Sequence, residues 1–495
     1  MKKRNIFIGA VLMIIFASCE KFLDKNPDNR AELNNVEKIA QLLSSAYPSA
    51  PYAAMGEMYS DNVADKGPNA SGVHLNTPFP ELYHFEDVED DGGNTPTEFW
   101  NGAYEGISAA NQALASIEEY NLGAEANPYR GEALVARAFG HFLLVTFFAK
   151  AYEPVGDNSS PGVPYVLSPE YDPFQKYDRG TVASVYEQIE KDLTEGIALL
   201  AGGQWKVPAY HMGPSAAHAF ATRFYLFKQE WQKVVDHANR VVPGGDFTGM
   251  LRDYAGEAAS LSGNGDNYSN YFCKGDSKFN LLLHEMYAGY QRSSGLYASR
   301  YGFGPTIYSN WYTRANVTGV SFKTNAWIYG TGNYTLNKLR EYWYVTNATS
   351  NIGYPYLQMP LLTTDEALLN RAEANLELGN TAAVITDLNL AARYKIENYN
   401  VNSHGITLTK AKEFYNVADD KEALMNAVLD IKKWTFMNEG MRYFDIIRHK
   451  MTVKHILIDN SNVESTIELT PDDNRRVFQI PKSAIEIGGL EPNPR

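Results

Sequence analysis

Apolar and small residues recur in this chain at intervals of three and four, in paired segments joined by short turns, and that spacing commits most of it to helical hairpins. The clearest pair carries one stripe at Ala217, Phe220, Ala221, Phe224 and Tyr225 and a second at Trp231, Val234, Val235, Ala238 and Val241. A turn at 228–230 separates them, and Pro243-Gly244-Gly245 closes the unit. Another pair runs from Trp100 through Tyr104, Ile107, Leu114 and Ile117, with Asn111 in the same stripe. It returns over 129–152 through Leu134, Ala138, Leu144 and Phe148. Ser184 with Glu187 reads as a capping box for a helix through Val185, Ile189, Leu193, Ile197 and Leu200. Thr363 with Glu366 reads the same way ahead of Leu368, Leu369, Ala372 and Leu376, a turn at Gly379-Asn380, and a return through Val384, Ile385, Leu388 and Ala391.

Hairpins of roughly 34 residues with such offsets resemble tetratricopeptide repeats, each of which buries its apolar face only against a neighbour. They are degenerate and scattered, so the expected fold is mostly α, a tetratricopeptide-like hairpin scaffold carrying long irregular insertions. The scaffold falls at about 33–60, 99–243 and 360–450. The insertions fall at about 61–98, rich in Pro, Gly, Asn and Asp, and 244–350, rich in Gly, Asn, Ser and aromatics. Long irregular segments on a rigid scaffold usually carry function.

The N-terminus sets the compartment. Lys2, Lys3 and Arg4 precede an apolar run over 6–16 that ends in Ala17-Ser18 before Cys19. That is the pattern of a signal peptide, too short for the about 20 residues a spanning helix needs. Phe16-Ala17-Ser18-Cys19 resembles a lipobox, so residues 1–18 are expected to be cleaved, Cys19 acylated, and 19–32 left as a tether to one domain over 33–495. With Cys19 acylated, Cys273 is the only other cysteine and no disulfide framework exists. A formal charge of −14, made more negative by cleavage, argues against a nucleic-acid partner.

Several segments in order resemble the SusD/RagB family of outer-membrane nutrient-binding lipoproteins. They are Cys19-Glu20-Lys21-Phe22-Leu23-Asp24, Trp100-Asn101-Gly102-Ala103-Tyr104 to Asn111, Gly131-Glu132-Ala133 to Arg137-Ala138, and Asn370-Arg371-Ala372-Glu373-Ala374. Asn438-Glu439-Gly440-Met441-Arg442-Tyr443-Phe444-Asp445-Ile446-Ile447-Arg448 and Ile480-Pro481 to Pro492-Asn493-Pro494 complete the set. The chain departs from the family at Lys432-Lys433 and at its Glu491-Pro492-Asn493-Pro494 ending. The resemblance implies a SusD-like α-α superhelix on the cell surface, tethered through Cys19 to the outer membrane. It would form a lid over a SusC-like TonB-dependent transporter and hold an oligosaccharide or polysaccharide. Glu439, Arg442, Asp445 and Arg448 recur every three residues and are expected to form a helical charge ladder. Asn111 and Arg137 are expected to satisfy neighbouring backbone inside the core.

Sugars stack their C–H faces on aromatic rings and present hydroxyls to amides, carboxylates and guanidinium groups. The 244–350 region offers both kinds of group. Trp311, Tyr312 and Trp327 are the expected stacking platforms, with Tyr287, Tyr290 and Arg292 next. Asp61, Asn62, His74 and Tyr83 in the other insertion are the expected polar and supporting contacts. For any single aromatic, burial in a core or in loop packing is the commoner outcome, because aromatics dominate cores generally. The run Glu86-Asp87-Val88-Glu89-Asp90-Asp91 could hold a structural calcium ion, although it lacks the spacing of a known calcium loop and reads more simply as a solvated acidic loop. No other cofactor or metal is expected. The chain shows no zinc helix, nucleophile elbow or phosphate loop, so binding is favoured over catalysis. A glycoside hydrolase built on two carboxylates, and a protein-interaction adaptor using the helical surface, remain the alternatives.

Overall fold

The computed structural model describes residues 32–68, 78–170, 175–263, 265–291, 300–329, 333–336, 338–339 and 341–495. The expected signal peptide, Cys19, the tether up to residue 31, His74 and Arg292 lie outside the described residues.

Helices begin where a side chain can accept the orphan N–H groups of a first turn. Asn35 does so for α1 (Val36–Leu43), and α2 (Ala53–Met58) follows. Thr95 accepts from Glu98 N–H at 3.1 Å, with Pro96 at the first position, and starts α3 (Pro96–Glu119). Then come α4 (Asn127–Phe148) and α5 (Val182–Leu199). The box on α5 is Thr181 with Ser184, three residues upstream of the expected one. The hairpin of α6 (Pro214–Lys228) and α7 (Trp231–Val241) turns at Gln229, whose φ of 56° ends the first helix.

Thr363 caps α8 (Thr364–Glu377), paired with α9 (Thr381–Arg393). The Glu366 carboxylate leaves that cap and binds Arg223 at 2.6 Å instead, because the buried guanidinium is the stronger partner. A last hairpin, α10 (Leu408–Tyr415) and α11 (Asp420–Thr435), precedes α12 (Arg442–Arg448). Helix α4 is apolar and long enough to cross a membrane, yet it is buried nearly all round between α3 and α5 and is the core helix. Its approach to α5 needs two glycines: a Cβ on Gly131 would stand 2.7 Å from Gly196 O, and one on Gly196 would meet Gly131 O at 2.7 Å.

The region expected to be irregular contains strands. β2 (Asn280–Tyr287) and β6 (Tyr342–Asn347) both pair antiparallel with β7 (Ile352–Thr363), giving the order β2-β7-β6. β1 (Ala64–Asp65) pairs with β3 (Tyr301–Gly302), and β4 (Ala326–Tyr329) with β5 (Asn333–Leu336). A further hairpin, β8 (Val453–Ile458) and β9 (Glu464–Leu469), follows the last scaffold helix. The alternation in Tyr342-Trp343-Tyr344 is hard to see in sequence because both strand faces carry aromatics.

Buried ion pairs bolt these elements together. Arg137 binds Asp192 through two bonds of 2.6 and 2.8 Å and donates to Asn111 Oδ1 and Leu167 O, while Asn111 Nδ2 donates to Val166 O. Both side chains therefore serve backbone as expected. The expected ladder is mostly absent, because α12 begins only at Arg442 and Glu439 lies on the preceding turn, where Asn438 and Gly440 have φ of 71° and 75°. Glu439 instead holds Arg252 and Lys338, Arg442 holds Asp61, and only Asp445 with Arg448 pairs along the helix.

Candidate functional site

Gly304 and Pro305 start a short helical turn, Pro305–Tyr308, that runs into a π-helical turn, Ser309–Thr313, closed by Arg314 N–H to Ser309 O at 3.1 Å. Such turns shift side-chain direction within one coil and recur at functional sites. Here Tyr312 points inward while Asn310 and Arg314 face solvent and Trp311 lies half-buried between them.

Trp311 forms one wall of a cleft of about 430 Å³. Phe414 and Tyr415 at the end of α10 and Ile431 and Trp434 of α11 also line it, and Asn310, Arg314, Asn316 and Asp430 supply polar groups. The Lys433 ammonium sits 3.9 Å from the Trp311 ring centroid and is itself bonded to Asp61 at 2.8 Å, so one indole face is fixed from below. Burial pulls the Lys433 pKa down to about 8, partly offset by Asp61. Burial would raise the Asp61 pKa, but Lys433 and Arg442 outweigh it and hold the carboxyl well below its ordinary range. Asp430 is raised by burial, against a 2.8 Å hydrogen bond from the Tyr415 hydroxyl. It is the one carboxylate among the described residues lining the cleft. The Nε1–H of Trp434 has no acceptor among the described residues.

The other expected contacts scatter. Tyr312, 5% exposed, packs against Trp434 with its hydroxyl toward Met437 Sδ, and Tyr290 is fully buried near Phe79. Neither presents a ring face to a ligand, because aromatic bulk was the cheapest way to fill the space beneath the loops. Asn62 is buried and donates to Glu57 at 2.8 Å. Tyr83 is a core post, stacked on His455 at 4.1 Å with its hydroxyl donating to Ile456 O. Asp61 serves Lys433 and Arg442 rather than the cleft directly. Tyr287 lies half-buried on the β2-β7-β6 sheet, away from the cleft lining, and the Trp327 backbone pairs with Thr335.

In the acidic run Asp87 pairs with Arg495 and Asp90 accepts from Gly92 N–H, and most of the segment is exposed. Glu373, Asp445 and His449 bring ligand atoms within 4.8 Å of one another, but Lys432 and Arg448 already neutralise that group.

Sequence reasoning missed Phe414, Tyr415, Asp430 and Trp434. Their signal was an adjacent aromatic pair ending an amphipathic helix just before Asn416, whose φ of 52° reverses the chain. It also missed the aromatic strands β6 and β7.

Residues 21–226 match a family described as starch-binding and associating with the outer membrane, and residues 233–486 match the SusD family. A search of the curated proteins finds no match. Among solved structures, a SusD superfamily protein from Bacteroides thetaiotaomicron is 20% identical with a TM-score of 0.65, covering 93% of this chain and 98% of its own. A putative sugar-binding protein from Bacteroides vulgatus is 20% identical with a TM-score of 0.67, covering 94% and 99%. A laminarin-binding SusD-like protein is 17% identical with a TM-score of 0.58, covering 93% and 98%. These likenesses confirm the helical, tetratricopeptide-like fold, and since the second family match alone spans more than half of the residues, the chain belongs to the SusD family.

Proposed function

We propose that the protein binds a glycan in the Trp311 cleft and, tethered to the outer membrane through an acylated Cys19, passes it to a partner SusC-like TonB-dependent transporter. The cleft carries this reading: a fixed indole face and an exposed phenyl ring stand beside amide, guanidinium and carboxylate groups, which is the combination a sugar ring needs. The family description and the sugar- and laminarin-binding names of two structural relatives point the same way. Hydrolysis is the weaker reading, since two-carboxylate chemistry needs a second acid and Asp61 has both oxygens committed to cations.

Residues 20–495 probed on a glycan array, with reducing-end release measured in parallel, test it. Retention of at least one glycan without release is the expected result. Release would indicate a hydrolase, and co-purification with a large barrel without any glycan retention would indicate an adaptor. Cys19→Ala is expected to free the full chain from the membrane fraction; continued partition with membranes would remove the anchor.

A further inference from the structure

The outer face of the β2-β7-β6 sheet is built of tyrosine. Directly paired residues on neighbouring strands share a face. The register places Tyr287, Tyr356 and Tyr342 in one row across the three strands, Tyr344 opposite Tyr354 in the next, and Glu285 opposite Gln358 at the other end. Within those rows no aliphatic side chain shares the face, Ile352, 54% exposed, bordering it beyond Tyr354, while Met286 and Leu357 point the opposite way and are buried. Tyr344 is 56% exposed, Tyr354 54% and Tyr342 40%, and the Tyr342 hydroxyl donates to the Glu285 carboxylate. The ring centroids of Tyr342 and Tyr344 lie 6.5 and 6.0 Å from that of Tyr356, a continuous aromatic surface. It shares no lining residue with the Trp311 cleft.

An exposed aromatic patch of this extent marks a binding surface. Every ring here carries a hydroxyl, and a carboxylate and a primary amide sit at the margin. Ring faces for C–H stacking with hydroxyl, carboxylate and amide groups beside them are the combination a sugar surface needs. Tyr344 and Tyr354, each more than half exposed, stand side by side on adjacent strands, so the face can lie along a polymer. We infer that the tyrosine face is a second glycan surface that takes internal segments of an extended polysaccharide. Resting on the function proposed above, this assigns short sugars to the cleft and the polymer to both surfaces, which raises apparent affinity through simultaneous engagement.

The test is native affinity electrophoresis of residues 20–495 in gels containing soluble starch, laminarin, mixed-linkage glucan, xylan or mannan, followed by titration with short oligosaccharides of whichever polymer retards the protein. Tyr344→Ala/Tyr354→Ala is compared with Trp311→Ala, and circular dichroism verifies folding; both tyrosines are more than half exposed, so their truncation leaves the core intact. The tyrosine variant is expected to lose about ten-fold in polymer affinity with oligosaccharide affinity unchanged. Equal retardation of variant and parent overturns the second surface and leaves the cleft standing. Loss of polymer binding in the tyrosine variant alone, with Trp311→Ala unaffected, removes the cleft and keeps the surface. Unchanged retardation with lost transporter co-purification reassigns the face to protein docking. No retardation of the parent by any of the five polymers overturns both readings.

Discussion

Glu57 is fully buried at the seam between α2 and the Asn438–Gly440 turn, and its replacement by Gln should stabilise the protein at alkaline pH. Burial raises its pKa from 4.5 to about 7, against hydrogen bonds from Gly440 N–H at 2.9 Å and Asn62 Nδ2 at 2.8 Å. A carboxyl whose folded pKa lies above its unfolded value binds its proton more tightly in the native state, so stability falls as pH rises from the unfolded value through the folded one. The shift corresponds to about 3 kcal/mol, lost mainly between pH 4.5 and 7. Glu57→Gln keeps an oxygen for Gly440, and a half-turn of the Asn62 amide keeps the second bond. Unfolding midpoints in urea, followed by tryptophan fluorescence from pH 5 to 8.5, should show the variant gaining on the parent as pH rises, by roughly 1–3 kcal/mol at pH 8. A variant less stable than the parent at pH 8, or a difference that does not change with pH, would refute the reasoning.

Arg137→Met leaves the buried Asp192 carboxylate with only the Tyr165 hydroxyl, and should cost about 3–5 kcal/mol, read as a lowered melting temperature. Arg137→Met/Asp192→Leu should recover part of that loss; no difference between single and double variants would contradict the pairing. Gly440→Ala places a Cβ 2.8 Å from Ala53 Cα at a φ of 75° and should destabilise by roughly 1–3 kcal/mol, whereas Gly379→Ala, at the positive-φ turn after α8 with nothing within 4 Å, should cost less. Equal losses at the two glycines would show that crowding at α2 contributes nothing.

The helical hairpins were legible because a 3.6-residue period repeats long enough to stand above local noise, as at Ala217 to Tyr225. Helix starts were less so: Thr181, Ser184 and Glu187 all satisfy capping rules, and tertiary contacts decide among them. The strands escaped because β6 carries aromatics on both faces and the other partner of β7, β2, ends 65 residues before β7 begins. For the site, composition located Trp311 but could not separate it from Tyr312, one residue on, which a single π-turn sends into the core. Phe414 and Asp430 reach the cleft only through the packing of α10 and α11 against the insertion, which no local pattern encodes. Asp61 illustrates the reverse: a loop acid suited to sugar hydroxyls is consumed by Lys433 and Arg442 from the C-terminal third of the chain.

The central claim rests on the indole of Trp311. Isothermal titration of the retained glycan against Trp311→Ala, with the unfolding midpoint confirming that the fold survives, should show affinity reduced ten-fold or more, since stacking on an aromatic ring is worth about 1–3 kcal/mol by analogy with bases. An isotherm indistinguishable from that of the unaltered protein would contradict the account.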